Sequence, residues 1–171
     1  MDTAGHFLQN PFYRSAPELL KKYPRRPYVF TFVRNPWDRV VSAFFYLNQG
    51  GGNLCDKWDR HQYLRAFRGN FARFVRSSFP AGRILRQMHF RPQHQWVSDG
   101  SGQLITDFVG KYERLEQDLR ELSGRLDIRF NNPPLINESE HDHYREYYDE
   151  VTKDIVADAY RKDIELFDYR F

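Results

Sequence analysis

Arg34 and Ser42 are spaced to hold an anion. Arg34 ends the run Tyr28-Val29-Phe30-Thr31-Phe32-Val33 and is followed at once by Asn35-Pro36. The run is continuous, apolar and β-rich, as expected of a strand buried on both faces. Asn is a good N-cap, and Pro is tolerated at the first helical position because its missing N–H would be unpaired there. A helix is therefore expected over 36–46. Its N-terminus would offer free N–H groups and a positive dipole end to an anion at the carboxyl end of the strand. Ser42 falls two turns in, roughly 10 Å along the axis, on the face that begins near Asn35. A guanidinium fork and a hydroxyl on that face suit a phosphate. The same residues also fit a structural arrangement in which Arg34 pairs with Asp38 and Ser42 packs.

Other reactive side chains carry less. Cys55 is the only cysteine, so no intrachain disulfide can form. A lone Cys reads as a small buried residue. His141 and His143 lack accompanying cysteines and read as loop residues rather than zinc ligands. Gly50-Gly51-Gly52-Asn53 is a turn: no Lys-Ser or Lys-Thr follows, so it is not a phosphate loop.

The elements that position these residues alternate between helix and strand. A short helix is expected over 16–23, capped by Ser15 and ended by Pro24. Tyr63, Phe67, Phe71, Phe74 and Val75 recur at helical spacing, giving one or two amphipathic helices over 58–78. The arginines 60, 65, 68, 73 and 76 form the other face, either solvated or part of a groove for a sulfated glycan. A second buried strand is expected over 104–109, a helix over 115–126, and one long helix from Tyr148 to near Phe167. Strands alternating with helices argue for an α/β three-layer domain with a central parallel sheet.

Composition sets the outer bounds. The 171 residues are one domain's worth. An aromatic share of 17% favours a packed core over disorder. The net charge of +3, with 26 Lys and Arg, allows an anionic ligand without demanding one. No run of about 18 apolar residues offers a membrane span. The first residues lack a signal peptide's basic and apolar regions. The chain as written is expected to be cytoplasmic.

The run Arg34-Asn35-Pro36-Trp37-Asp38-Arg39-x-x-Ser42-x-Phe44 resembles the 3′-phosphate-binding motif of the sulfotransferase superfamily, in the wording of its carbohydrate (Golgi-type, family 2) branch. Arg91-Pro92-Gln93, Asp107-Phe108-Val109-Gly110-Lys111-Tyr112-Glu113 and Asp118 are similar to later blocks of that family. So are Asn137-Glu138-Ser139, Tyr144-Arg145-x-Tyr147-Tyr148 and the ending Tyr160-x-x-Asp163-Ile164-x-x-Phe167-x-Tyr169.

The resemblance implies a fold like that of P-loop nucleoside triphosphate hydrolases, with residues 1–171 as a single sulfotransferase domain. It implies 3′-phosphoadenosine 5′-phosphosulfate (PAPS) as sulfate donor, a carbohydrate or glycan hydroxyl as acceptor, and no metal. Arg34 and Ser42 would bind the 3′-phosphate, and Arg39 would touch it or brace its loop. Asn137 and Ser139 would line the nucleotide pocket. His6, in Gly5-His6, would be the catalytic base, a role suited to a side chain that titrates near working pH. Glu113 would anchor the second strand. No nucleic-acid motif is present.

Such enzymes begin with a strand and a Pro-Lys-x-Gly-x-Thr-Ser type loop around the 5′-phosphosulfate, and no such sequence occurs here. The chain is therefore expected to be an N-terminally truncated sulfotransferase domain. The other readings are a relative that binds the nucleotide without transfer, or one completed by another subunit. A full-length relative would sit in the Golgi membrane.

Overall fold

The computed structural model describes residues 15–128 and 141–171. His6, Asn137 and Ser139 lie outside the described residues. The first helix, α1 (Ala16–Leu20), starts from a capping box between Ser15 and Glu18. It is shorter than the 16–23 expected.

Strand β1 (Phe30–Val33) runs directly into α2 (Pro36–Asn48), whose N-cap is Asn35. Next come α3 (Leu54–Asp59), a π-helical turn (Arg60–Leu64), a 3₁₀ turn (Arg65–Phe67) and α4 (Phe71–Ser78). The amphipathic pattern over 58–78 is thus broken. Arg68 adopts a left-handed φ of 49°, Gly69 one of 79°, and Asn70 caps α4 by accepting from the Arg73 N–H.

After a 3₁₀ turn at Arg83–Arg86 and the short α5 (His94–Val97), β2 (Phe108–Lys111) pairs with β1 in parallel, Phe30 opposite Phe108 and Val33 opposite Lys111. This strand begins four residues later than the apolar run 104–109 predicts. Leu104 makes only an isolated antiparallel bridge to Ser98. The true strand includes Gly110, which apolar patterning hides. Gly110 is there because the Phe32 ring lies over it: a Cβ would come within 2.4 Å of Phe32 Cε1.

Helix α6 (Leu115–Leu126) matches its expected bounds and ends on Asp127 at a φ of 52°. The expected single tail helix is two: α7 (Glu150–Ala159) and α8 (Arg161–Leu166), broken at Tyr160. Tyr160 is fully buried, and its hydroxyl donates to the Phe90 carbonyl at 2.5 Å.

One core cluster joins Val40, Val41, Phe44 and Leu47 of α2 to Phe71, Phe74 and Val75 of α4 and to Val156 and Tyr160 at the tail. A second gathers Val33, Val97, Phe167 and Tyr169. The β1–α2 junction lies between the two. The architecture is mixed helix and sheet, with a small parallel sheet formed by β1 and β2.

Candidate anion-binding site at the β1–α2 junction

Arg34 is the residue between β1 and the cap of α2, and its backbone is clamped. Its N–H donates to Gln93 Oε1 at 2.9 Å, and Gln93 Nε2 donates back to the Arg34 carbonyl at 2.8 Å. Gln93 is itself fixed by the fully buried Asp163 of α8, which accepts from the Gln93 N–H at 2.6 Å. Asp163 also accepts from His94 N–H at 2.9 Å and contacts His94 Nδ1 at 2.6 Å. A carboxylate from the tail thereby sets the position of the turn that carries Arg34.

The Arg34 side chain is steered twice. Its Nε donates to Asp38 Oδ2 at 2.6 Å, one turn into α2. Its guanidinium lies 4.6 Å from the centroid of the Tyr112 ring. The pairing with Asp38 that the sequence allows is therefore present, but it uses only Nε. Both Nη nitrogens are without a hydrogen bond among the described residues, which leaves the forked end open to an anion.

The helix terminus contributes less than its position suggests. Pro36 has no N–H, and the Trp37 N–H is taken by Asn35 Oδ1 at 3.0 Å. Asn35, Pro36 and Trp37 are all buried. The expected set of free N–H donors is reduced accordingly, and anion binding here rests on the guanidinium.

Arg39 is bound to a different segment. Its Nη1 donates to the Arg91 carbonyl at 2.8 Å. Burial lowers its pKa, against the opposing pull of Tyr160 and Asp163, and the Arg34 charge lowers it further. The guanidinium nevertheless stays charged. The mutual influence of Arg34 and Arg39 places two positive groups at one end of α2. Ser42 is half-buried on the same helix.

Three further contacts hold the junction. The Asn35 N–H donates to Glu113 Oε1 at 2.5 Å, and Glu113 Oε2 accepts from the Tyr169 hydroxyl at 3.1 Å. Burial, followed by the neighbouring Glu113 charge, pushes the Tyr169 pKa well up. Asn35 Nδ2 donates to the Arg170 carbonyl at 2.9 Å, and Trp37 Nε1 to the Lys153 carbonyl at 3.0 Å. Glu113 thus links the end of β2 to the cap of α2 and to the chain's last residues.

No local signal in the sequence marks Gln93, Tyr112 or Asp163 as a site residue. Each stands inside a block that resembles the sulfotransferases, and that position is the signal that could find it. A cavity of about 310 Å³ beside β2 and α6 is separate from this site. Its lining includes Asp107, Asp118 and Glu121 besides Arg114 and Arg125, and it contains none of Arg34, Arg39 and Ser42. No helix among the described residues is long and apolar enough to cross a membrane.

A protein of Archaeoglobus fulgidus, itself uncharacterized, is 27% identical over 117 residues, covering 68% of this chain and 82% of that protein. No solved structure matches. The family model described as "Sulfotransferase family" matches residues 6–170, nearly the whole length. The chain belongs to the sulfotransferase family.

Proposed function

We propose that the chain binds 3′-phosphoadenosine 5′-phosphosulfate and serves transfer of its sulfuryl group to a hydroxyl of a carbohydrate or glycan. The observation that carries this reading is the open Nη fork of Arg34, on a backbone clamped by Gln93 and a side chain aimed by Asp38 and Tyr112. Arg34 binds the 3′-phosphate, Ser42 adds a hydroxyl from α2, and Arg39 braces the Arg91 segment while adding positive potential. Asn137 and Ser139 line the nucleotide, and His6 takes the proton from the acceptor hydroxyl as that oxygen attacks sulfur in line. The 3′,5′-bisphosphate nucleotide leaves, and much of the rate gain comes from positioning. The domain is read as one α/β sulfotransferase unit of the three-layer, P-loop-like kind.

A carbohydrate acceptor, including one already carrying anionic groups, suits the charge distribution. Residues 57–86 carry eight Lys and Arg against the single acid Asp59, so the remainder of the chain is net acidic. All eight of those cations are exposed, whereas Asp59 is buried.

Calorimetric titration with 3′-phosphoadenosine 5′-phosphate, with 5′-AMP as control, tests the nucleotide site. The bisphosphate is expected to bind more tightly than AMP. Arg34→Ala is expected to weaken it by about tenfold to a hundredfold, the worth of one charge-assisted contact. Equal affinity for the two nucleotides by a folded sample, or no effect of Arg34→Ala, overturns the assignment. Transfer of labelled sulfate from the donor to a glycan then separates catalysis from binding alone.

A further inference from the structure

We propose that Asp56, Asp59 and His89 form a binding site for a divalent transition-metal ion of the zinc type, apart from the nucleotide site. One ligand atom from each residue lies within 4.8 Å of the others. His89 Nε2 and Asp56 Oδ1 are 3.1 Å apart. Nitrogen and oxygen ligands of a tetrahedral zinc ion sit roughly 3.3 Å from each other, so the His89–Asp56 pair is near that spacing, and the Asp59 oxygen, within 4.8 Å, would close in on the ion. Asp56 and Asp59 are three residues apart on α3 and share one helix face. His89 reaches them from the segment after the 3₁₀ turn at Arg83–Arg86.

The electrostatics of the cluster call for a cation. Asp56 is 1% exposed and Asp59 is 7% exposed. Among the described residues neither forms an ion pair with Lys or Arg, and the one ion-pair partner of possible positive charge is the His89 imidazole, against Asp56. Among the described residues Asp59 accepts a single hydrogen bond, 2.6 Å from the neutral amide of Gln87. Carboxylates are rarely buried on such terms; they are paired or they hold a metal.

Neighbouring groups also hold the three residues in place, the carboxylates through their oxygens and His89 through its backbone. Asp56 Oδ2 accepts from the Tyr46 hydroxyl and Gly52 N–H at 2.8 Å each, and from Asn53 N–H at 3.2 Å, leaving Oδ1 toward the cluster. Gln87 braces both other ligands, since its Oε1 accepts from the His89 N–H at 2.7 Å while its Nε2 holds Asp59. Gly51, at a φ of +62°, makes room: a Cβ there would lie 2.1 Å from Asp56 Cβ. One imidazole and two carboxylates suit zinc and its neighbours better than calcium or magnesium, which take more oxygen ligands or keep their waters. The ion would tie α3 to the 87–90 turn, against the C-terminal part of α2 where Tyr46 sits. It takes no part in the sulfuryl transfer proposed above.

The test is calorimetric titration of the chelator-stripped chain with zinc chloride. One equivalent is expected to bind, with a raised thermal midpoint. Asp59→Asn and His89→Gln should each weaken binding beyond the about 10–100-fold that loss of an outer partner costs. Gln87→Leu should fall within that range, and His61→Gln, on an exposed histidine elsewhere, should leave binding unchanged. Circular dichroism confirms that each variant is folded. Cobalt in place of zinc should give a visible absorption band in the unsubstituted chain that Asp59→Asn and His89→Gln lose. A folded chain whose thermal midpoint ignores stoichiometric zinc overturns the site without recourse to variants. Zinc binding that persists at full strength in both ligand variants, or is displaced by equimolar magnesium, overturns it equally.

Discussion

Asp163→Asn tests whether the tail positions the Arg34 turn. In the structure this fully buried carboxylate meets three groups: the N–H of Gln93, the N–H of His94 and His94 Nδ1, at 2.6, 2.9 and 2.6 Å. A hydrogen bond to a charged partner contributes about 1.5–3 kcal/mol, and neighbouring bonds are not additive. Asparagine keeps the shape and one carbonyl oxygen, but removes the charge and turns an NH₂ toward a group that is itself a donor. The expected loss is about 2–4 kcal/mol, a large part of a typical domain's about 5–15 kcal/mol. Urea unfolding followed by circular dichroism should show a lowered midpoint with an unchanged slope. Under native conditions the affinity for 3′-phosphoadenosine 5′-phosphate should also fall, because Gln93 no longer holds both backbone groups of Arg34. The internal control is Asp158→Asn, whose carboxylate pairs with Arg161 at 2.6 Å while both side chains are more than two-thirds exposed. That pair should be worth less than about 1 kcal/mol. If the two variants unfold at the same urea concentration, the carboxylate is not the brace described above.

Two other substitutions probe the sheet and the buried tail. Gly110→Ala should lower stability by about 1–3 kcal/mol through overpacking against the Phe32 and Phe108 rings, measured by the same urea titration. A neutral result would mean that β1 and β2 adjust freely. For Tyr160, burial raises the phenol pKa well above its ordinary value of about 10. Above that pH the unfolded chain releases a proton that the folded chain retains, so this contribution to stability is complete below about pH 10 and declines as pH rises beyond it. The urea midpoint of the unsubstituted chain should therefore fall more steeply between about pH 10 and 12 than that of Tyr160→Phe. Parallel pH profiles would refute the assignment.

The parts of the fold set by local chemistry were legible in the residues. Asn35-Pro36 marks the start of α2, and Leu115–Leu126 carries its helical pattern to both ends. Other features depend on distant partners. β2 takes Gly110 and Lys111 instead of Leu104 and Ile105 because the former pair opposite Phe32 and Val33, and no window along the sequence contains that register. The tail helix breaks at Tyr160, where the side chain is drawn inward to the Phe90 carbonyl, 70 residues away. At the site, Arg34 and its bond to Asp38 follow from one-turn spacing, whereas the Gln93 and Asp163 clamps span 59 and 70 residues. The Asp56–His89 contact, across 33 residues, was hidden for the same reason.

The bonds from the β1–α2 junction to the end of the sequence also bear on synthesis. Asn35 is held by the Arg170 carbonyl, 135 residues later, and the Trp37 ring stands edge-on to Phe171 at 5.5 Å. At about 5–20 residues per second, a ribosome needs about 7–27 s after making Asn35 to supply that partner. During this interval the turn bearing Arg34 lacks the braces supplied by Asp163 and Arg170, and the apolar faces of α2 lack Val156 and Tyr160. The candidate site around Arg34 thus cannot be assembled in step with translation. It closes only after residues 150–171 are free to fold back, so a bulky fusion joined directly to Phe171 would act on the loop at Arg34.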